Sequence, residues 1–234
     1  MFLAPYYNES GNVVNISAEQ ASLFAKSKCQ DFNPIHDPDS KRFCVPGDLL
    51  FALALCKYGI SESMKFEFTG MVGDNVGLLF PQHDGEQLTV TNEQGKSLLD
   101  IIKQGNSSQD LTLIENLINN YVLFSGRNFP ELLMPLMEKH QVMFNTARPL
   151  VMYNSMSFDL QSLEVKDELQ VKLSDAYLQV EQKRAEEFLH FDIFDGDTNI
   201  GNGVKKVVIG GLKPYDHEAI SAFSEAYQAR RSTF

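Results

Sequence analysis

The stretch Gly47-Asp48-Leu49-Leu50-Phe51-Ala52-Leu53-Ala54-Leu55-Cys56 decides the fold. Its apolar side chains fall on nearly every face of a helix, and Gly59 stands just past the end as a stop. The pattern predicts a helix buried on most sides. Immediately upstream, Lys28 to Asp39 is polar and carries Pro34 and Pro38 among several Asx residues, which predicts a structured loop. Before that loop, Ser17 and Gln20 form a capping-box pattern ahead of Ala21, Phe24 and Ala25, which share one helical face.

Downstream of the buried helix, Met64 to Thr69 alternates like a half-buried strand, and Val76 to Phe80 is a second short apolar run. After Asn92 the pattern turns helical: Leu98, Leu99, Ile101 and Ile102, then Leu111 to Val122, then Leu132 to Met137 behind Pro130. Residues 93–145 are therefore read as a helical insertion. Beyond Pro149 four strands are predicted, 152–160, 169–180, 188–194 and 204–212, whose short links imply an antiparallel meander. Asp216 caps a last helix, about 216–231, with Arg230 and Arg231 in its final turn. The β-rich part carries neither a second Asp-to-His motif nor a second glycine-led buried helix. The reading is accordingly one α+β domain over 1–234.

The chain has 234 residues, 43% hydrophobic and 22% charged, enough to bury a real core, which excludes disorder as its main state. Twenty basic against thirty-one acidic residues leave a formal charge of −11. That balance argues against nucleic-acid binding and against docking on an anionic membrane. No apolar run approaches the roughly 20 residues of a membrane span, and the N-terminal residues lack a signal-peptide pattern. Cys29, Cys44 and Cys56 show no CxxC pair, which fits reduced thiols in a cytoplasmic protein. His83, His140, His190 and His217 have no ligand spacing, so no metal site is expected. Asp195 to Gly201 begins like a calcium loop but has Ile200 and Lys206 at the two diagnostic positions, and reads as a turn.

The chemistry is concentrated in Asp31-Phe32-Asn33-Pro34-Ile35-His36. A carboxylate and an imidazole around a proline-stiffened turn can converge on one water and deprotonate it. Gly47, eleven residues further on, opens the buried helix. A backbone N–H there, with the helix dipole behind it, suits a carbonyl oxygen gaining negative charge. These are the parts needed to add water to, or remove it from, an activated double bond.

Phe24-Ala25 together with Asp31-Phe32-Asn33-Pro34-Ile35-His36 resembles the signature of the MaoC-like, (R)-specific enoyl-CoA hydratases. Arg42 to Leu50 is similar to that family's next block. The resemblance implies a hot-dog fold, an antiparallel sheet around a long central helix, in a homodimer. It implies Asp31 and His36 as the acid/base pair, Gly47 as N–H donor to the thioester carbonyl, and Asn33 as organiser of the loop. The implied substrate is a 2-enoyl or 3-hydroxyacyl thioester of CoA or an acyl carrier, with no separate cofactor. Two departures stand out: Cys29-Gln30 replaces the usual Ser-Gly, and Asp48 follows Gly47 where the family usually has Met. Asp48 either stabilises the helix N-terminus or, pointing inward, repels a developing enolate. The rival readings are a non-catalytic hot-dog module that binds an acyl thioester or a protein partner, and a hot-dog thioesterase using Asp48. Lys205-Lys206 and Arg230-Arg231 are the short basic pairs available to meet a CoA phosphate.

Overall fold

The computed structural model describes residues 2–82 and 85–234, so His83 lies outside the described residues. In chain order, β1 (Asn8–Ser10) and β2 (Val13–Asn15) lead into α1 (Ala18–Ser27), then α2 (Gly47–Tyr58), β3 (Ile60–Phe68), β4 (Leu78–Leu79), β5 (Gln87–Asn92) and β6 (Ser97–Ser108). Next come α3 (Leu111–Gly126), α4 (Asn128–Glu131), α5 (Leu133–Lys139) and β7 (Val142–Met143). The chain then runs through β8 (Val151–Leu160), β9 (Leu169–Glu181), β10 (Arg184–Asp195), β11 (Thr198–Gly210), β12 (Lys213–Pro214) and α6 (His217–Ser232).

Ten strands form one sheet in the order β1-β2-β4-β5-β6-β3-β8-β11-β10-β9, all neighbours antiparallel. The sheet wraps the apolar helix α2, in which Asp48 to Leu55 and Tyr58 are buried. This is an α+β hot-dog arrangement. Burial of α2 follows directly from its all-round hydrophobicity, since any exposed face would leave Leu or Phe in water. Phe51 meets Phe66 of β3 edge-on at 5.0 Å and Tyr121 of α3 at 4.9 Å, tying the central helix to both the sheet and a second helix.

The insertion expected at 93–145 is corrected in part. Ser97–Ser108 is strand β6, paired with β3 and β5. A bulge at Val90/Thr91 makes Leu98 an extra residue, so Leu98 and Leu99 are both buried and the period of two is broken. The remainder is helical up to Lys139 and ends in the short strand β7, and α3 is a buried element in its own right. Leu113, Ile114, Leu117, Ile118, Tyr121 and Val122 form its inward stripe, and Asp110 caps its start by accepting from Thr112 and Leu113 N–H. Tyr121 and Phe124 each lie 5.4 Å from Phe191 of β10, so α3 serves the C-terminal strands much as α2 serves the N-terminal ones.

The meander is corrected as well. β9, β10 and β11 follow one another, but β8 pairs with β11 and with β3, forming the seam between the two halves of the sheet. A second apolar cluster, including Leu133, Met137, Phe144, Ile209 and Ile220, seats α5 and α6 on that half. No helix among the described residues is long and apolar enough to cross a membrane.

Candidate active site

The Asp31 loop is built by the end of α1. The Asp31 N–H donates to the Ala25 carbonyl at 2.9 Å, and Gln30 turns through the left-handed region at φ 53° to allow it. Glycine adopts that conformation without strain and glutamine does not. Gly126, at the end of α3, closes the loop from the other side: a Cβ there would stand 2.0 Å from the Cys29 carbonyl oxygen.

Within the loop, Asp31 Oδ1 accepts from the Asn33 N–H at 2.9 Å, and Asn33 Oδ1 accepts from the Ile35 N–H at 3.1 Å. Asn33 thus caps the short turn Pro34–His36 and aims His36 back at Asp31. His36 Nδ1 lies 2.6 Å from the Cys44 carbonyl oxygen. A carbonyl only accepts, so Nδ1 carries a proton and Nε2 is the nitrogen turned toward the cavity. Nε2 faces Asp31 Oδ2 at 3.6 Å, with the side chains 13% and 23% exposed. Two acceptors at that separation, partly open to solvent, can hold one water between them.

Gly47 opens α2 behind Pro46, which offers no side-chain cap. The helix's first carbonyl bond is Leu49 N–H to Pro46 O, and the Gly47 and Asp48 N–H groups find no acceptor among the described residues. Phe68 and Tyr153 crowd Gly47, and a Cβ would meet Tyr153 at 2.8 Å. Asp31, His36, Asn33, Gly47 and Asp48 all line one cavity of about 510 Å³, joined from the other half of the sheet by Tyr153 and Lys205, by Ser125 at the end of α3 and by Asn128 at the start of α4.

Asp48 points inward and is 7% exposed, but it is not a bare charge. Both of its oxygens lie 2.8 Å from Ser125 Oγ, which donates to the carboxylate. Lys205 Nζ in turn donates to Ser125 Oγ at 2.5 Å and to its carbonyl at 3.2 Å, and sits 4.4 Å from the Tyr153 ring centre. Burial pushes the Asp48 carboxyl up from the usual carboxylate range, while Lys205 and Ser125 pull it back. Tyr121 and Tyr153 join hydroxyls beside this cluster. Burial also pushes the Cys29 thiol well up, which removes the thiolate a reactive cysteine needs.

Further in, Glu187 is fully buried and accepts from Asn128 Nδ2 at 2.7 Å. Burial raises its carboxyl to about 7, against lowering by Asn128 and Lys205. Glu187 Oε1 and Asn128 Oδ1 have no hydrogen-bond partner among the described residues.

Ser125, Asn128, Tyr153 and Glu187 escaped the sequence reading, and Lys205 was read only as a surface cation. Strand parity holds the missed signal: Lys205 shares the inward face of β11 with Val207 and Ile209, and Glu187 that of β10 with Ala185 and Leu189. The basic pairs are also placed differently from the phosphate contact considered for them. Lys205 is buried, Lys206 pairs with Glu186 at 2.7 Å, and Arg230 and Arg231 brace the Asp31 loop through Asp37 and Gln30.

An α+β hot-dog sheet with a carboxylate, an imidazole and a helix N-terminus on one cavity defines the class of this protein. The chain belongs to the family described as "Protein of unknown function (DUF3581)", whose model matches residues 1–218. No curated protein is similar to it in sequence. Among solved structures it is similar to an acyl-CoA thioesterase II from Mycobacterium marinum, at 10% identity and a TM-score of 0.46 over 92% of this chain and 100% of that one. It is also similar to a hot-dog protein of unknown function from Alicyclobacillus acidocaldarius, at 7% identity and 0.47 over 91% and 97%. A MaoC-like dehydratase matches at 8% identity and 0.44 over 88% and 98%.

Proposed function

We propose that the protein is a hydratase or dehydratase acting on a 2-enoyl or 3-hydroxyacyl thioester at one acid/base site. The observation that carries the reading is the facing of Asp31 Oδ2 and His36 Nε2 at 3.6 Å, with Nδ1 tied to Cys44, on the cavity that Gly47 also lines. The thioester carbonyl accepts from the free N–H at the start of α2, which draws electron density from the C2=C3 bond. Water held by Asp31 and His36 bonds through oxygen to C3 and loses a proton to one of the pair. That proton is then delivered to C2, so the pair ends with the protons it began with. The enolate charge that develops on the way rests on the Gly47 N–H and the positive end of the α2 dipole. Asp48 does not oppose it as a bare anion, because Ser125 and Lys205 hold and balance its charge. The same engagement leaves Asp48 poorly placed to activate water, which disfavours the thioesterase reading.

The test is hydration of crotonyl-CoA and longer 2-enoyl-CoA esters, followed by loss of absorbance of the conjugated thioester. Asp31→Asn and His36→Gln should each lower kcat by about 100-fold or more while folding normally. A wild-type protein that is stabilised by acyl-CoA but turns over no chain length would move the assignment to a binding module.

A further inference from the structure

We propose that Tyr227, on the C-terminal helix α6, is a positioning residue for Asp31, an inference that rests on the hydratase reading above. Tyr227 is 195 residues from Phe32 in sequence, and its hydroxyl accepts the Phe32 N–H at 3.0 Å. With one lone pair so engaged, the hydroxyl proton is directed at Asp31 Oδ1, 3.3 Å away. Oδ1 therefore has two donors, Tyr227 and the Asn33 N–H. The carboxylate cannot rotate without giving up both, and Oδ2 is left as the oxygen that faces His36 Nε2. One carboxylate oxygen is anchored and the other works.

The anchor is rigid because the ring is. Tyr227 is 3% exposed and packs edge-on against Phe32 at 6.2 Å and Phe129 at 5.1 Å. The next turn of α6 fastens the same loop by separate means: Arg230 pairs with Asp37, which Lys26 also holds at 2.9 Å, and Arg231 donates to Gln30 Oε1 at 3.2 Å. The ion pair holds the loop to the helix, while the tyrosine hydroxyl reaches the working carboxylate itself. Among the described residues of the N-terminal half no side chain supplies this contact, so the acid/base loop takes its final orientation from the far end of the chain.

The experiment compares Tyr227→Phe with Arg230→Ala in the full chain. Tyr227→Phe keeps the ring packing and removes one hydroxyl. It should lower kcat for enoyl-CoA hydration about tenfold, the size of one lost hydrogen bond to a charged group, with KM unchanged. It should also shift the Asp31 carboxyl carbon-13 resonance at fixed pH while leaving that of Asp48 in place. Arg230→Ala should lower Tm and leave both kcat and the Asp31 resonance alone. If Tyr227→Phe leaves kcat and the resonance where they were, or if the two variants behave alike, Tyr227 is packing only and the proposal fails. If the resonance moves in Tyr227→Phe but the wild type hydrates no enoyl-CoA, positioning stands and the hydratase reading fails instead.

Discussion

Glu187 makes the stability of this protein depend on pH in a direction that can be worked out from the structure. Its folded carboxyl is raised to about 7 from an ordinary 4.5, with burial as the cause. The folded state thus binds a proton more tightly than the unfolded one, so this group's contribution is fully present below about pH 4.5 and is lost as pH rises through 7. The whole difference is about 3 kcal/mol, of which about 2 kcal/mol is lost between pH 5.5 and 8.5. Glu187→Gln removes the titration, and its amide can donate to Asn128 Oδ1, which has no partner among the described residues of the wild type. The variant should be nearly neutral below about pH 4.5 and more stable than wild type by about 3 kcal/mol at pH 8.5, a Tm gain of roughly 6–12 °C for a chain of this size. The assay is urea unfolding followed by circular dichroism at pH 5.5, 7 and 8.5, comparing the two proteins at each pH so that the other titrating groups cancel. Parallel pH profiles for the two proteins would refute the reasoning, because the wild-type slope would then come from elsewhere.

Gly126→Ala should disrupt the contact between α3 and the Asp31 loop, because its Cβ would meet backbone at 2.0 Å; a loss of about 3 kcal/mol or more in chemical denaturation is expected. Gln30→Gly should instead stabilise the protein by about 1 kcal/mol by relieving the left-handed residue at φ 53°, net of the lost Arg231 contact, and the same denaturation series would show it. Lys205→Met removes the cation beside Asp48 and should cost about 3 kcal/mol, with Asp48→Asn in the same chain restoring most of it. Equal losses in the single and double variants would show that Lys205 acts by packing alone.

Local order could be read from the residues because its causes are local. A capping box at Ser17 and Gln20, an all-round apolar run from Leu49 to Cys56, a proline-stiffened Asp31-to-His36 turn and an aspartate before α6 each act within a few residues. Those features placed the central helix, the Asp31 loop and the Gly47 helix start, while apolar runs and alternation placed β3, β4 and β8 to β11 and left the other strands unread. Leu98 to Ile102 went astray because a bulge, which exists only against the partner strand β5, turned two neighbouring leucines inward and mimicked a helical face. The pairing of β8 with β3 escaped because strand order depends on which edges meet in space.

The charge state of the site was likewise a tertiary decision. Whether Asp48 would repel an enolate depended on Ser125 and Lys205, 77 residues or more away along the chain, and whether Asp31 would hold its orientation depended on Tyr227. The sequence by itself determined which groups the loop and the helix start carry, since those follow from short-range geometry. Only the tertiary structure decided how they are balanced and aimed, because Coulomb and hydrogen-bond partners act over a few ångströms of space without regard to separation in the chain.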